Sequence, residues 1–368
     1  MEIICKTEIL KSAVSRLSRI TNKNTQLPVL SAILFNFDKN KLILRSTNLD
    51  VGAEITVDLN SNNQNMDDFA VPSDILNNLL LQIDNNGDIS INKKNENIEI
   101  KYKSNIFNIK CFQPYDFPTI PRIKDFNEFR IDIKKITDSI KSVSYSASLS
   151  DIKPELSSVF MYSESDNLVF VSTDSFRLSE KKIKNKENKE IEGIIIPLKN
   201  SIEIIKFFEQ SEGEANILYN KNQITIILNN TYFTSRVIDG VFPDYKQIMP
   251  KKHNTEAVLL KYDILNALKI SNIFSDKLNQ VNIVIKPKEN NISINTNNSD
   301  IGNGNILLDA ALSGDDIDIN INYKYIMDCL QYIKQDSILI QTEGNNKPIM
   351  IKGVNDNSYT CLIMPMNK

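Results

Sequence analysis

The feature that most constrains this chain is that it repeats itself three times, and repeats are the first thing to seek in a sequence. An apolar stripe at helical spacing, with lysines on other faces, occupies residues 6–17, returns at 133–143 and returns again at 261–273. Aligning Ile9, Ile136 and Ile264 gives steps of 127 and 128 residues. A strand ending in Thr-Asn or Thr-Asp recurs at Thr47-Asn48, Thr173-Asp174 and Thr296-Asn297, with the threonines 126 and 123 apart. A second helical stripe follows Val71-Pro72, Ile196-Pro197 and Ile321-Asn322, and Phe117-Pro118 comes back as Phe242-Pro243 after 125 residues. Four markers on one period make the 368 residues a triplicated domain, with repeats expected at 1–125, 126–253 and 254–368.

Between the helical stripes the residues alternate. Ile98, Ile100 and Tyr102 interleave with Glu99, Lys101 and Lys103, and Ile317, Ile319 and Ile321 with Asp316, Asp318 and Asn320. Strict alternation marks half-buried strands, and Asn-rich pieces such as 84–88 supply turns. Each repeat is therefore read as α+β: two helices and roughly eight short antiparallel strands, with the helix pair covering one face of the sheets.

Several chemistries are excluded. His253 is the sole histidine and lies in a polar stretch that reads as a linker, so a histidine-based nucleophilic site has little to work with. Cys5, Cys111, Cys329 and Cys361 form no C-x-x-C pair and read as free thiols of a reducing cytoplasm. With ten glycines and no phosphate-cradling loop, no cofactor and no metal is expected. Asp315, Asp316 and Asp318 are the densest acids, but they alternate with Ile317 and Ile319 and read as a soluble strand edge. No apolar run approaches the roughly 20 residues that span a bilayer, and Glu2 and Lys6 interrupt any secretory core. A non-catalytic cytoplasmic protein is expected.

The charge is nearly balanced, 43 basic against 46 acidic residues, yet it is unevenly placed. Ile9, Leu10, Ala13, Val14, Leu17 and Ile20 read as the buried stripe of the first helix, and Arg16, Arg19 and Lys23 fall with Ser12 on another face. Lys134 and Lys141 occupy the comparable face of the second repeat, and Lys269, with Lys261 and Lys277, that of the third. If the repeats close into a ring, those faces share one surface and their fields add. Sparse cations of this kind attract phosphates without reading bases. A repeat-built scaffold with no nucleic-acid partner would share the triplication but need no basic face.

The motifs Leu27-Pro28-Val29-Leu30-Ser31, Thr47-Asn48-Leu49-Asp50-Val51-Gly52, Ser172-Thr173-Asp174-Ser175-Phe176-Arg177-Leu178, Thr231-Tyr232-Phe233-Thr234-Ser235-Arg236, Phe242-Pro243-Asp244-Tyr245 and Met364-Pro365-Met366 carry a likeness in their order and spacing. Along essentially its whole length the chain resembles the bacterial DNA polymerase III beta subunit, the sliding clamp. The resemblance implies a head-to-tail homodimer, a ring around double-stranded DNA that binds without sequence preference. It implies as partners the polymerase III alpha subunit, the clamp loader, other polymerases and mismatch-repair proteins, each docking by a short peptide motif with Leu-Phe-like anchors.

The family's peptide cleft, carried over by match, falls on Leu156, Thr173, Ser175, Phe176, Arg177, Leu178, Pro243, Gln247, Ile248, Pro348, Leu362, Ile363, Met364, Pro365 and Met366. Phe176 stands where the family commonly has histidine, and Gln247 where a base is frequent. For DNA the resemblance adds Lys23, Asn24 and Lys153 to Arg16, Arg19, Lys134, Lys141 and Lys269. For the ring joint it gives Phe107 and Ile109 facing Ile273 and Phe274 of a second copy. The charged residues that the family often adds at this joint are replaced by neutral ones near Ser104, Ile106, Asn303 and Asn305, so a joint of low salt sensitivity is expected.

Overall fold

Every α-helix in the described chain grows directly out of a strand, with no loop between. The structure is a computed structural model that describes residues 2–21, 26–38, 40–59, 67–185 and 189–366. Helix α1 (Thr7–Leu17) follows strand Glu2–Lys6, α2 (Ser73–Gln82) follows Phe69–Pro72, and α3 (Ile133–Ser144) follows Asn127–Asp132. In the same way α4 (Leu198–Phe208) follows Ile194–Pro197, α5 (Lys261–Ser271) follows Thr255–Leu260, and α6 (Tyr323–Leu330) follows Ile317–Asn322. The switch from period 2 to period 3.6 in the sequence is thus abrupt. Pro72 and Pro197 sit immediately ahead of α2 and α4, where a missing N–H costs the helix nothing. Asn322 caps α6 by accepting the Lys324 N–H at 3.0 Å.

The described chain forms two compact units, Met1–Asp138 with Lys199–Asp239, and Ser139–Leu198 with Gly240–Lys368. In the first unit, an eight-stranded antiparallel sheet runs Phe69–Pro72, Ala32–Asp38, Lys41–Thr47, Val51–Asp58, Thr231–Arg236, Gln223–Leu228, Glu214–Tyr219, Asn127–Asp132. A four-stranded sheet runs Glu2–Lys6, Asp88–Lys94, Asn97–Tyr102, Asn105–Lys110. In the second unit, a nine-stranded sheet passes from Ile194–Pro197 through Ser158–Glu164, Asn167–Thr173 and Arg177–Lys184 to Tyr359–Ile363, and on through Ile349–Gly353, Ser337–Thr342 and Thr255–Leu260 to Ala311–Gly314. Its four-stranded companion runs Gly302–Leu308, Asn291–Asn298, Gln280–Lys286, Ile317–Asn322. Half the strands of the middle repeat complete a sheet begun by the first repeat, and half complete one shared with the third. The seams are antiparallel pairs, Val51 opposite Ser235 in one unit and Leu178 opposite Leu362 in the other.

The helices and sheets meet as the periodicity requires, with exceptions. Ile98, Ile100, Ile317, Ile319 and Ile321 are all buried. In the second unit they join a core with Ile264 and Leu268 of α5 and Ile326 and Leu330 of α6. Glu99, expected on the wet side of its strand, is buried instead, its carboxylate 2.5 Å from Lys94 Nζ. In α1 the buried stripe is Leu10, Ala13, Val14 and Leu17, whereas Ile9 keeps 44% of its surface exposed. Ile9 sits at the stripe's margin in the first turn. The helix also stops at Leu17, so Ile20 is buried from the turn beyond it. Lys23 and Asn24 lie outside the described residues, as do Asn367 and Lys368.

Candidate peptide-docking site and basic surface

The matched residues Leu156, Thr173, Ser175, Phe176, Arg177, Leu178, Pro348, Leu362 and Ile363 fall at one end of the nine-stranded sheet, whereas Pro243, Gln247 and Ile248 belong to a segment tied to Tyr162, Glu164 and Glu180 further along it. At that end the hairpin between strands Asn167–Thr173 and Arg177–Lys184 turns over a fixed scaffold. Thr173 Oγ1 donates to Arg177 O at 2.7 Å and accepts the Ser175 N–H at 3.1 Å. Asp174 Oδ1 accepts the N–H groups of Phe176 and Arg177 at 3.0 and 2.9 Å. These bonds hold Ser175 at φ 76, a left-handed conformation unusual for a residue with a Cβ. The turn thrusts out Phe176, which is 63% exposed.

The C-terminal strand completes the site. Leu178 pairs opposite Leu362 and Arg177 opposite Ile363, and the Met364 N–H donates to Phe176 O at 2.8 Å. The Met366 N–H donates to Asn320 O at 2.7 Å, so the run from Leu362 through Pro365 to Met366 is pinned at both ends. Pro348 adjoins it, because Ile349 pairs with Ile363. Leu156 lies half-buried just ahead of strand Ser158–Glu164. Pro243, Gln247 and Ile248 are exposed on a segment anchored by Tyr245, whose hydroxyl meets Tyr162 at 2.7 Å and donates to the buried Glu180. Gln247 is turned back onto Asp244 at 2.9 Å.

The electrostatic centre is Arg177. Its guanidinium lies 3.0 Å from Asp174 and 2.6 Å from Asp328, and its carbon sits 4.6 Å from the Tyr325 ring centroid and 5.3 Å from that of Tyr145. Burial opposes the charge, but Asp328 and Asp174 outweigh it and hold the pKa above the ordinary arginine value. Tyr145 in turn bonds Tyr359 at 2.7 Å and Ser179 at 2.5 Å. Sequence reading missed Tyr145, Tyr325 and Asp328. Asp174 was visible in the Thr-Asp repeat, but nothing in the spacing links Arg177 to a helix 151 residues later.

The proposed DNA-facing cations divide into two groups. Arg19, Lys134, Lys141, Lys153 and Lys269 are exposed. Arg16 is only half-exposed: its Nε donates to Phe207 O at 3.3 Å and its guanidinium lies over the Phe207 ring at 4.5 Å, in the last turn of α4. Burial, with Arg19 nearby, pushes its pKa down to about 10. Arg19 also reaches α4, bonding Lys206 O and lying 3.3 Å from Glu209, and Lys11 donates to Ile83 O at 3.0 Å beyond the end of α2. These side chains serve the carbonyl ends of neighbouring helices, where cations are favoured. The basic face read on α1 is therefore partly committed to internal contacts.

The expected joint residues lie near two sheet edges. Strands Asn105–Lys110 and Gly302–Leu308 each end a four-stranded sheet. Phe107 is half-buried and Ile109 is 5% exposed, facing its own core, while Ile106, just ahead of them, is exposed. Ile273 is 61% exposed, and Phe274 packs its ring across Gly304, where an added Cβ would lie 3.3 Å from it.

Three α+β repeats sharing sheets in this order define a clamp-type fold. The chain matches the DNA polymerase III beta subunit N-terminal domain over residues 1–121, its central domain over 130–244 and its C-terminal domain over 246–367. It therefore belongs to the DNA polymerase III beta subunit family, the beta sliding clamps. The beta sliding clamp of Staphylococcus epidermidis is 23% identical over 381 residues, covering 100% of this chain and 99% of that one. That of Staphylococcus aureus is 22% identical over 379 residues with the same coverage. Among solved structures, DNA polymerase III subunit beta from Pseudomonas aeruginosa superposes with a TM-score of 0.94 at 21% identity, each chain covered completely. The beta subunit from Thermotoga maritima gives 0.93 at 22%, covering 100% of this chain and 99% of that one. One Pseudomonas aeruginosa clamp was solved bound to griselimycin.

Proposed function

We propose that the chain is the non-catalytic processivity factor of a replicative DNA polymerase, working as a cytoplasmic head-to-tail homodimer that encircles duplex DNA. The observation that carries the ring is that Asn105–Lys110 and Gly302–Leu308 each end a sheet, two of the open edges among the described strands. An exposed edge is a template for pairing, and Asn105–Lys110 of one copy meeting Gly302–Leu308 of another, repeated twice, closes a two-copy ring. Ile273 and Phe274 then cover the joint with Phe107, and Ile109 stiffens it from its own core. Enclosure keeps the protein on DNA without tight contact, so the exposed Arg19, Lys134, Lys141, Lys153 and Lys269 need only attract phosphates. Arg16 acts chiefly as a strut between α1 and α4.

The site around Thr173, Arg177, Leu178 and Leu362–Met366 receives the peptide motifs of the polymerase alpha subunit, the clamp loader and repair partners. Its Met, Pro and Leu side chains suit anchors of variable shape, and Phe176 takes the place of the family's polar rim. Among the described residues no helix is long and apolar enough to cross a membrane. Sedimentation tests the joint: the native chain runs as a dimer and Ile273→Asp as a monomer with unchanged circular dichroism. A native chain that is monomeric at micromolar concentration contradicts the proposal.

A further inference from the structure

The hairpin that shapes the peptide site is built a second time, in the other unit. Between strands Lys41–Thr47 and Val51–Asp58, Thr47 Oγ1 donates to Val51 O at 2.8 Å and accepts the Leu49 N–H at 3.0 Å. Asn48 Oδ1 accepts the N–H groups of Asp50 and Val51 at 3.1 and 2.8 Å. Leu49 stands at φ 79, as Ser175 stands at 76. The neighbouring strand is pinned alike, because the Arg236 N–H donates to Asp50 O at 2.9 Å as the Met364 N–H does to Phe176 O. Val51 opposite Ser235 repeats the pairing of Arg177 opposite Ile363. Pro118 and Pro121 border the same place, and together these residues enclose a cavity of about 200 Å³.

The scaffold is the same, but the lining is not. Where the first site has Leu178, Leu362, Ile363 and Met364, strand pairing puts Gly52, Thr234, Ser235 and Arg236. Gln223, opposite Arg236, takes the place of Pro348. A Cβ on Gly52 would lie 2.9 Å from Ile120, so this wall cannot regain an apolar side chain without displacing Ile120. Leu49, Val51 and Pro118 remain as the apolar part. Arg236 is exposed and has no ion-pair partner among the described residues. A large Leu-Phe anchor meets a cation here and not aliphatic walls: the Thr234 and Ser235 hydroxyls are already buried and bonded within the protein, and burying the Arg236 charge unpaired is unfavourable.

We propose that this cavity is a second docking site, for an extended peptide carrying one small apolar anchor next to one acidic side chain. The apolar anchor lies against Leu49 and Pro118, and the carboxylate pairs with Arg236. Asp50, exposed at the hairpin tip, disfavours a second acid and sets the direction of the chain. The inference rests on reading the Thr173–Arg177 hairpin as a peptide site, since the shared construction is what marks the cavity as one.

The test uses the full-length dimer and fluorescence anisotropy with two probes: a labelled Gly-Val-Glu-Gly-Ser amide, and a labelled pentapeptide ending in Leu-Phe. The expected result is saturable binding of the acidic probe, undisturbed by excess unlabelled Leu-Phe peptide and weakened at least about tenfold in Arg236→Glu. Arg236→Glu leaves the Leu-Phe probe unaffected, which shows the variant is folded. No saturation by about 1 mM overturns the proposal. So does displacement by the Leu-Phe peptide, by a short DNA duplex, or an unchanged affinity in the variant. Failure of the Leu-Phe probe alone counts against the first site and leaves the acidic-probe result readable.

Discussion

Arg177 shows how much one side chain carries. It joins two carboxylates and two aromatic rings from separate parts of one unit, and its planar fork fits that set as an ammonium does not. Arg177→Met is expected to lower stability by about 2 kcal/mol, since charged hydrogen bonds are lost and Asp174 is left half-buried. Arg177→Lys should recover less than half of that in denaturant melts. Asp356 supplies a pH handle. Burial pushes its pKa up, but the bonds from Ser358 and Gln335 and the field of Lys181 pull it below the ordinary value. A carboxyl depressed in the fold adds stability above its unfolded pKa and loses it as pH falls through the folded one. Asp356→Asn should therefore melt with a flatter pH dependence than the native chain below about pH 4. At this scale the sequence was least legible. Whether Arg16 faces solvent or the end of α4 depends on Phe207, 191 residues away, which no local spacing encodes. Ile9 and Glu99 mislead for a related reason: periodicity sets a face, while the neighbour's extent sets where that face ends.

At the scale of elements the sequence was far more legible, because period 2 and period 3.6 are properties of short windows. The six helices and the alternating strands fall where their patterns put them, and two of the three markers, Thr47-Asn48 and Thr173-Asp174, turn out to be hairpins held by the same four hydrogen bonds, while Thr296-Asn297 lies within strand Asn291–Asn298. Sheet membership was not legible, since nothing in a strand's own residues says that the middle repeat will divide its strands between two sheets. Gly314 illustrates a constraint that only the partner strand reveals. It ends strand Ala311–Gly314 at φ 103, and a Cβ there would lie 1.9 Å from Asn254 O. Gly314→Ala should cost at least about 3 kcal/mol, well beyond a surface substitution, and show as a large fall in the denaturation midpoint.

For the whole molecule the threefold repeat was the decisive signal, and it led to the family before any side chain was placed. The joint proposed above would be a neutral one. On the sheet face beside that edge, Asn305 bonds Asn295, Asn295 donates to Asn282 at 3.2 Å, and Asn282 donates to Asn320 at 2.9 Å. Amides and apolar groups are not screened as charges are. The dimer constant should therefore change less than about threefold between low and high salt, and a steep loss of dimer in sedimentation would show that distant charges hold the joint. The central claim is enclosure. Its most direct test is retention on DNA after loader-assisted assembly, comparing a nicked circle with the same molecule linearised at matched salt. Enclosure gives long residence on the circle and rapid loss from the cut ends, while equal loss from both would mean that the chain binds DNA by its surface or not at all.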